Sequence, residues 1–471
     1  MPSRLPFPPT RPAARDVSRR AFLAAIAGGT AALALSGCAV VSGGAVSAGQ
    51  QGFRLSKDPA PGRQNTIELY NIWGGTLGNA WVLLADLYEK SQSHTAVRVT
   101  YAPLSGSTQI RLQTSIAAGT PPDVAFCTPD EYPQLAGYGV ITPLDGYMAK
   151  AGLKEKDYAP AVWSQMTQTG KIYAHPVLVD VNFPLFWNKR VFEDVGLDPD
   201  TPPKTIDELD AFSDKILKKD GNRVTRIGTV PWDYYGFSNS MFTAGFAFGG
   251  KFMSDDNQVA TPDDPNVIQG LQWMCDYAKK VGGASHLAVT PPSATLPSIA
   301  SGNVGMAPMT TTDAVNVYEN GDKKTVELGA ALFPYAEGLG SSGSATWLGG
   351  YDMFIPSKAQ NPDAAWDFVQ FATVSDEGTR ANFTNGTLLP GYTASPALGE
   401  FQRDDEVAIY REGLITCKNI RPTIPVAGVY SGSLDIAVSA AVYGQMTPEA
   451  ALRKVAGQVN QALDQYRKEH P

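Results

Sequence analysis

The sequence predicts an α/β fold with a mostly parallel sheet, divided over at least two domains. The first observation is that short apolar strands alternate with amphipathic helices, the order that βαβ units require. The second is length, because about 400 residues remain once an N-terminal targeting segment is set aside, enough for two hydrophobic cores. The third is that no repeat of solenoid type runs along the chain.

The alternation is clearest between residues 67 and 127. Ile67–Trp73 is a predicted strand that ends in a Gly-Gly turn, and Val97–Tyr101 is a second strand with apolar and polar residues in alternation. Apolar side chains at helical spacing predict a helix over 80–88, and another over 110–118 stops at Gly119. Val124–Cys127 is a short apolar strand, which completes a βαβαβ unit.

Later helices carry their own signals. Thr205 and Glu208 form a capping box at the start of a helix whose apolar face continues to Ile216. Helical spacing of apolar residues predicts three more helices, near 268–278, 365–372 and 452–463.

The first 37 residues are predicted to be a signal peptide rather than part of the fold. A basic start is followed by the apolar run Ala21–Leu35, too short to span a bilayer well. The segment Ser18–Leu23 (SRRAFL) is similar to a twin-arginine export signal. Leu35-Ser36-Gly37 then precedes Cys38 as a lipobox, so Cys38 is the predicted lipidation site.

Composition limits what the remaining chain can do. Residues 38–64 are predicted to hold the lipidated Cys38 and a flexible tether, because they are rich in Gly, Ala, Ser and Gln. The formal charge is −8, and the first 37 residues hold five Arg and one Asp, so the rest carries −12. An acidic surface argues against nucleic acid and against adhesion to anionic lipid.

The residues that usually carry catalysis are sparse. No nucleotide-binding, zinc-protease or serine-hydrolase motif occurs, and the four His residues lack metal-ligand spacing. Cys127, Cys275 and Cys417 form no CxxC and are interpreted as small buried residues. The sequence therefore predicts no catalytic residue, no metal and no cofactor.

An ordered series of segments resembles bacterial extracellular solute-binding proteins of family 1, the maltose-binding-protein-like receptors of ABC importers. The resemblance covers roughly residues 65 to 465 and follows the strand that ends Trp73-Gly74-Gly75. Its further segments are Ala117–Val124 (AAGTPPDV), Gly139–Asp145 (GVITPLD), Gly170–Pro176 (GKIYAHP), Phe186–Phe192 (FWNKRVF), Pro202–Leu209 (PPKTIDEL), Ser301–Met306 (SGNVGM) and Asn361–Phe368 (NPDAAWDF).

The resemblance implies a type II periplasmic-binding-protein-like fold, with two hinge-connected α/β lobes and a central ligand cleft. It implies a monomeric receptor that captures a mono- or oligosaccharide and delivers it to the transmembrane subunits of an importer, without chemistry. The receptor would be lipid-anchored at the extracytoplasmic face of the bacterial membrane. The expected lobes are 65–177 plus 308–372 and 178–307 plus 373–471.

Sugars need polar side chains for their hydroxyls and flat aromatic faces for their C–H patches, and both occur at strand ends. Trp73, Gly74 and Gly75 end the first strand, where α/β sheets place ligands. The resemblance assigns sugar contacts to Asp130 and Asp180, with Asn182 beside the latter. It assigns further contacts to Trp232 and Tyr235 in an aromatic loop, to Trp347, Gly349 and Tyr351, and to Arg421.

One departure from the family and two rival functions stay open. Family members often carry a stacking Trp shortly after the position of Met306, where this chain reads Ala307–Thr312, which points to a smaller or differently posed ligand. The same fold could bind a polyamine, through several carboxylates, or a phosphate ester, through an Arg/Lys cluster. A surface-anchored polysaccharide hydrolase or lyase is the remaining alternative, and product formation would reveal it.

Overall fold

The computed structural model describes residues 53–103, 108–221, 223–232, 236–284, 298–339, 344–400 and 404–470. The predicted signal peptide, Cys38, the start of the tether and Tyr235 lie outside these residues. Within them the chain is a mixed α/β structure, as expected. No described helix combines the length and the apolar character needed to cross a membrane.

The predicted βαβαβ unit is present. Strands β1 (Asn65–Asn71) and β2 (Thr95–Tyr101) pair in parallel, and helix α1 (Gly75–Ser91) connects them. Helix α2 (Thr108–Ala117) leads to β3 (Ala125–Cys127), which meets β1 through a parallel bridge between Val124 and Leu69. This arrangement brings the carboxyl ends of β1 and β3, and so Trp73 and Asp130, to the same edge of the sheet.

A long antiparallel ribbon forms the centre of the molecule. It pairs β4 (Ala174–Asn182) with β10 (Trp347–Phe354) along nearly their whole length. At one end β10 also pairs with β3, and at the other it pairs in parallel with the short strand β11 (Asn419–Ile420). Segments far apart in sequence therefore converge on this ribbon.

A second sheet lies beyond the ribbon, with strand order β6-β7-β8-β5-β9. Its strands are β5 (Leu185–Asn188), β6 (Lys218–Asp220), β7 (Arg223–Thr229), β8 (Val304–Pro308) and β9 (Leu328–Ala331). The helix predicted from the capping box is α7 (Ile206–Ile216), and the Thr205 hydroxyl accepts a hydrogen bond from the Glu208 N–H at 3.1 Å.

The other helices cover both sheets. They are α3 (Tyr132–Gly137), α4 (Asp145–Ala151), α5 (Pro160–Met166), α6 (Lys189–Asp194), α8 (Phe237–Ala247), α9 (Pro265–Lys280), α10 (Thr311–Asn320), α11 (Pro362–Val374), α12 (Asp376–Gly386), α13 (Ala397–Glu400), α14 (Asp404–Thr416), α15 (Ala427–Val442) and α16 (Pro448–Glu469). The three predicted helices near 268–278, 365–372 and 452–463 correspond to α9, α11 and α16.

Two large apolar clusters form the main cores. One surrounds β1, β2 and β4 and packs α1 and α11 against them, and the other joins α8, α9, α15 and α16. Cys127, Cys275 and Cys417 are buried free thiols, which confirms their interpretation as small buried residues.

The expectation of a flexible tether up to residue 64 is wrong for residues 53–64, which pack on the first sheet. Lys57 and Val99 exchange two backbone hydrogen bonds of 2.9 Å, so the segment extends the free edge of β2. The Lys57 ammonium lies 2.6 Å from the Glu89 carboxylate, with side chains only 6% and 9% exposed. Composition indicated disorder here because a few charged anchors contribute little to overall hydrophobicity.

Replacing Lys57 with Met should destabilise the fold. Burial raises the pKa of Glu89, but Lys57 and the N–H groups of Val97 and Ala60 outweigh burial and lower it. Without Lys57 the Glu89 carboxylate is buried unpaired, and we expect a loss of about 3 kcal/mol in unfolding free energy at pH 7, measured in urea. The difference from wild type should shrink as pH falls towards the range where Glu89 protonates. Lys251→Met removes an exposed pair with Asp255 and should cost less than about 0.5 kcal/mol. An equal loss in both variants would contradict the account.

Candidate functional site

The β4–β10 ribbon brings five of the predicted site residues onto one face. Asp180 pairs with Gly349, and Asn182 pairs with Trp347 at the next position on the same face. Tyr351, two residues beyond Gly349, continues this alternation, because side chains two apart on a strand share a face. The sequence positions 180, 182, 347, 349 and 351 thus become one contiguous surface.

Arg421 reaches this surface because β11 pairs with the start of β10, and Arg421 follows β11 directly. Its Nη2 lies 2.7 Å from Oδ1 of Asp130, and its Nη1 lies 3.5 Å from Oδ1 of Asn239 on α8. The guanidinium carbon stands 5.2 Å from the centre of the Trp347 ring. Arg421 therefore joins the end of β3 to α8 across the end of the ribbon.

The Arg421–Asp130 pair is buried but does not satisfy every polar atom in it. The two side chains are 15% and 6% exposed. Within the described part of the chain, Nε of Arg421 and Oδ1 of Asp130 are buried and take part in no aligned hydrogen bond. Buried polar groups of this kind cost free energy unless water or a solute completes their bonding.

Asp180 is the carboxylate best placed to meet a solute. Its side chain is partly buried, and no hydrogen bond from a described residue reaches its carboxylate. Burial raises the pKa of Asp180 to about 6, and Arg421 offsets part of the increase. Asp180 is thus mainly ionised at pH 7 and free to accept hydrogen bonds from a bound molecule.

Two aromatic rings border Asp180. Tyr351 lies edge-on to Trp73, with ring centres 4.9 Å apart and an interplanar angle of 80°. Trp73 in turn contacts Phe126 at 4.7 Å and stacks on Trp81 at 5.4 Å. Trp73 and Tyr351 are partly exposed, whereas Trp81 is fully buried. Burial raises the pKa of Tyr351, and the Asp180 charge raises it further.

Glycine keeps the surface between Asp180 and Arg421 open. A Cβ atom on Gly349 would lie 2.7 Å from Nδ2 of Asn182 and 3.0 Å from the Trp347 ring. Any side chain at position 349 would therefore displace these groups. Gly74 and Gly75 lie at the N-terminus of α1, directly after Trp73. The result is a recess that combines polar side chains, a small-residue floor and aromatic rings.

The sequence profile described as bacterial extracellular solute-binding protein matches residues 74–378, well over half of the chain. This chain belongs to that family. An ABC transporter extracellular-binding protein of Pyrococcus horikoshii is 26% identical over 342 residues, covering 69% of this solute-binding protein and 71% of the relative. A binding protein of Brucella abortus is 24% identical over 365 residues, covering 75% and 82%.

Solved structures show the same two-lobe architecture. CpMnBP1 with mannotriose bound has a TM-score of 0.71 and 25% identity, and the match covers 84% of this solute-binding protein and all of that chain. The GacH receptor of Streptomyces glaucescens, solved with and without acarbose, has a TM-score of 0.69 and 20% identity, with 85% and 99% covered. The two-lobe fold expected from the sequence is thus confirmed.

Trp347 and Asn182 occupy supporting positions in this solute-binding protein. The Trp347 ring is 1% exposed, and its indole N–H donates a hydrogen bond of 3.0 Å to the Thr243 hydroxyl. A ring this buried supports Arg421 and offers no free face to a solute. Asn182 is 8% exposed and donates to the backbone carbonyl of Asp180 at 3.3 Å, which helps to orient the strand around that residue.

The structure does not bring Trp232 to this surface. Its side chain is 6% exposed and packs 5.6 Å from Phe237 in the core of the second lobe. None of its contacts with described residues involves Arg421 or the ribbon face. Tyr235, its predicted partner, lies outside the described residues.

Two residues of the site escaped the sequence reasoning. Asn239 comes from the second turn's start of α8, and no local pattern in that apolar helix marks its link to Arg421. Glu131 follows Asp130, and burial followed by the Asp130 charge raises its pKa. Its position next to a predicted acid was the available signal. In the described ranges, His, Cys, Asp and Glu side chains form no group of three that could hold a metal ion.

Replacing Arg421 with Met should expose how strongly the pair with Asp130 is coupled. The change leaves the Asp130 carboxylate buried without its cation, and we expect a loss of about 3 kcal/mol in unfolding free energy. Adding Asp130→Asn should restore part of it, with an interaction energy of about 1–3 kcal/mol from a double-mutant cycle in urea. Additive effects of the two changes would show that the pair is not coupled.

Proposed function

We propose that this protein captures a carbohydrate, a mono- or oligosaccharide, and delivers it to an ABC importer by closing its lobes around the ligand. One observation carries the proposal: hydrogen-bonding side chains that lack full partners lie beside partly exposed aromatic rings. Asp180 and Arg421 supply an acceptor and a donor for sugar hydroxyls. Trp73 and Tyr351 supply apolar ring surface for the C–H patches of a sugar.

The relatives point in the same direction. The family consists of solute receptors, and the solved neighbours named above carry mannotriose or acarbose. By analogy we propose that this receptor performs no chemistry on its ligand. Ligand would stabilise the closed arrangement, in which Asp130 of the first lobe and Asn239 of the second both approach Arg421.

We propose lobes close to the expected ranges, 65–177 plus 308–372 and 178–307 plus 373–471, with one boundary moved. Helix α12, which follows residue 373, packs against α1 of the first lobe. The first core also includes Leu388, Leu389 and Tyr410. These contacts favour a first lobe that extends past α12, with the last crossing near β11.

The targeting features remain part of the proposal. A twin-arginine-like signal peptide over residues 1–37 and lipidation at Cys38 would place a monomeric receptor at the extracytoplasmic face of the membrane. The transmembrane subunits of the importer would be its protein partner. Metabolic labelling with a fatty-acid analogue, compared between wild type and Cys38→Ser, tests the anchor, and label that persists in the variant argues against it.

Electrostatics favours one of the non-sugar alternatives over the other. The recess holds Asp130, Glu131 and Asp180 but one described cation, Arg421, which is engaged with Asp130. A phosphate ester would need more cations, whereas a polyamine would find several carboxylates. A polyamine receptor is therefore the second candidate.

A thermal-shift screen of the mature chain with Cys38→Ser separates the candidates. The ligands are mono- and oligosaccharides, polyamines and phosphate esters, each tested beside a no-protein control for hydrolysis products. A ligand at a hundredfold its Kd should add about 2.7 kcal/mol and raise Tm by a few degrees. Stabilisation by sugars supports the proposal. Stabilisation by polyamines alone overturns it, and released product would identify an enzyme.

A further inference from the structure

We propose that the recess selects a sugar that carries a protonated amine over its neutral and acidic counterparts, with Asp180 as the counter-ion. This inference rests on the proposed function and names the class of sugar. It follows from which polar groups in the recess already have partners, from the rings beside Asp180, and from the balance of charge.

The first step is the balance of hydrogen-bond donors and acceptors. Arg421 directs Nη2 to Asp130 and Nη1 towards Asn239, which leaves Nε as its buried donor without a partner among the described residues. The Asn182 amide donates to a backbone carbonyl. Asp180 accepts nothing from the described part of the protein. An ammonium group, which only donates, matches this acceptor-rich surface better than a hydroxyl, which also needs donors.

The second step is the aromatic pair. Tyr351 lies close enough to Asp180 for the carboxylate to raise the pKa of its phenol, and Trp73 stands 4.9 Å from the Tyr351 ring. A cation is attracted to the faces of Trp and Tyr rings as well as to a carboxylate. The two rings and Asp180 therefore offer an ammonium group two kinds of stabilisation at one place, while the rest of the sugar covers apolar ring surface.

The third step is charge. Asp130, Glu131 and Asp180 surround Arg421, and the charge of Asp130 is a cause of the raised pKa of Glu131. Such a surface repels a uronic acid and attracts an amine in a region of low dielectric constant. A neutral sugar gains nothing from this excess of carboxylates beyond ordinary hydrogen bonds.

Calorimetric titrations with sugar pairs of identical size and stereochemistry test the inference. Each set holds an amino sugar, its neutral parent and its uronic acid in the glucose, mannose and galactose series, as monosaccharides and as disaccharides, with putrescine as a sugar-free amine. In each series that binds, we expect the amino sugar to bind at least about tenfold more tightly than its parent, and the uronic acid most weakly. Equal or tighter binding of the neutral parents would overturn amine selection while supporting a carbohydrate receptor.

The remaining outcomes concern both proposals. Binding of putrescine without any sugar, or of no member of the panel, would overturn the proposed function and this inference together. Asp180→Asn should weaken the amino sugar about 30- to 1000-fold and its neutral parent far less, so that the preference disappears. Asp255→Asn, an exposed acid in a surface pair, is the matched control and should preserve the preference.

The pH dependence gives an independent readout. The charged groups that face Asp180 are Asp130, Glu131 and Arg421, with the Tyr351 phenol beside them. Because the pKa of Asp180 is raised to about 6, its charge develops between pH 5 and 7. Affinity for the amino sugar should therefore rise over that interval while the amine stays protonated. An affinity that is flat from pH 5 to 7 would count against Asp180 as the counter-ion.

Discussion

Asp180→Asn is expected to lower ligand affinity about 100-fold while leaving the fold at least as stable as wild type. Affinity falls because the amide replaces a charged acceptor that has no hydrogen bond from the described protein. Stability does not fall because burial raises the pKa of Asp180 to about 6, above its ordinary value of 3.8, so the ionised form is disfavoured by folding. Removing the charge should add up to about 2 kcal/mol at pH 7.

The sign of the pH effect follows from the raised pKa. Wild-type stability associated with Asp180 is highest below about pH 4 and is lost as pH rises through about 6, so the advantage of the variant should appear only above that interval. Calorimetric titration and urea denaturation at pH 5 and 7 measure both effects. A variant that loses stability along with affinity would indicate that Asp180 is a structural residue.

Gly350→Ala should be among the most destabilising substitutions in the ribbon. Gly350 has a φ of +114°, and a Cβ atom there would lie 2.0 Å from the backbone oxygen of Leu178 and 2.9 Å from the backbone nitrogen of Asp180. The clash is with backbone, which cannot rotate away, so β4 and β10 must separate locally. We expect a loss of about 3 kcal/mol or more in unfolding free energy, measured in urea, together with weakened ligand binding.

Gly338→Ala provides a matched control for Gly350→Ala. Its φ of +84° is also positive, but no described atom lies within 4 Å of its added Cβ. Backbone strain alone should therefore cost about 1–2 kcal/mol. Similar losses in both variants would show that conformational strain, and not the close contact of the two strands, sets the requirement for glycine at position 350.

Local patterns in the sequence were enough to predict the helices and strands of the first sheet and the placement of several site residues. Asp180 and Gly349 each follow a recognisable segment, so their positions could be expected before their pairing was known. Whether a ring is exposed could not be predicted, because burial depends on what packs against it. Trp347 and Trp232 were both expected in the cleft, yet each has most of its surface covered by the second core.

Contacts between distant segments could not be derived from one sequence. Arg421 reaches Asp130 only because the two-residue strand β11 pairs with β10, and a strand this short leaves no periodic pattern. The docking of residues 53–64 depends in the same way on a few specific contacts, chiefly Lys57 with Glu89 and with β2. Both features come from tertiary pairing, not from local propensity.

The central claim is that the recess around Asp180, Arg421 and the Trp73–Tyr351 pair is where a carbohydrate binds. The most direct test is a tryptophan-fluorescence titration of the mature chain and of Trp73→Phe with the sugar that gives the largest thermal shift. We predict a saturable emission change in wild type, with a Kd that agrees with calorimetry. The change should be mostly lost in Trp73→Phe, although that variant still binds sugar in the calorimeter. An identical emission change in both proteins, or no sugar binding at all, would contradict the claim.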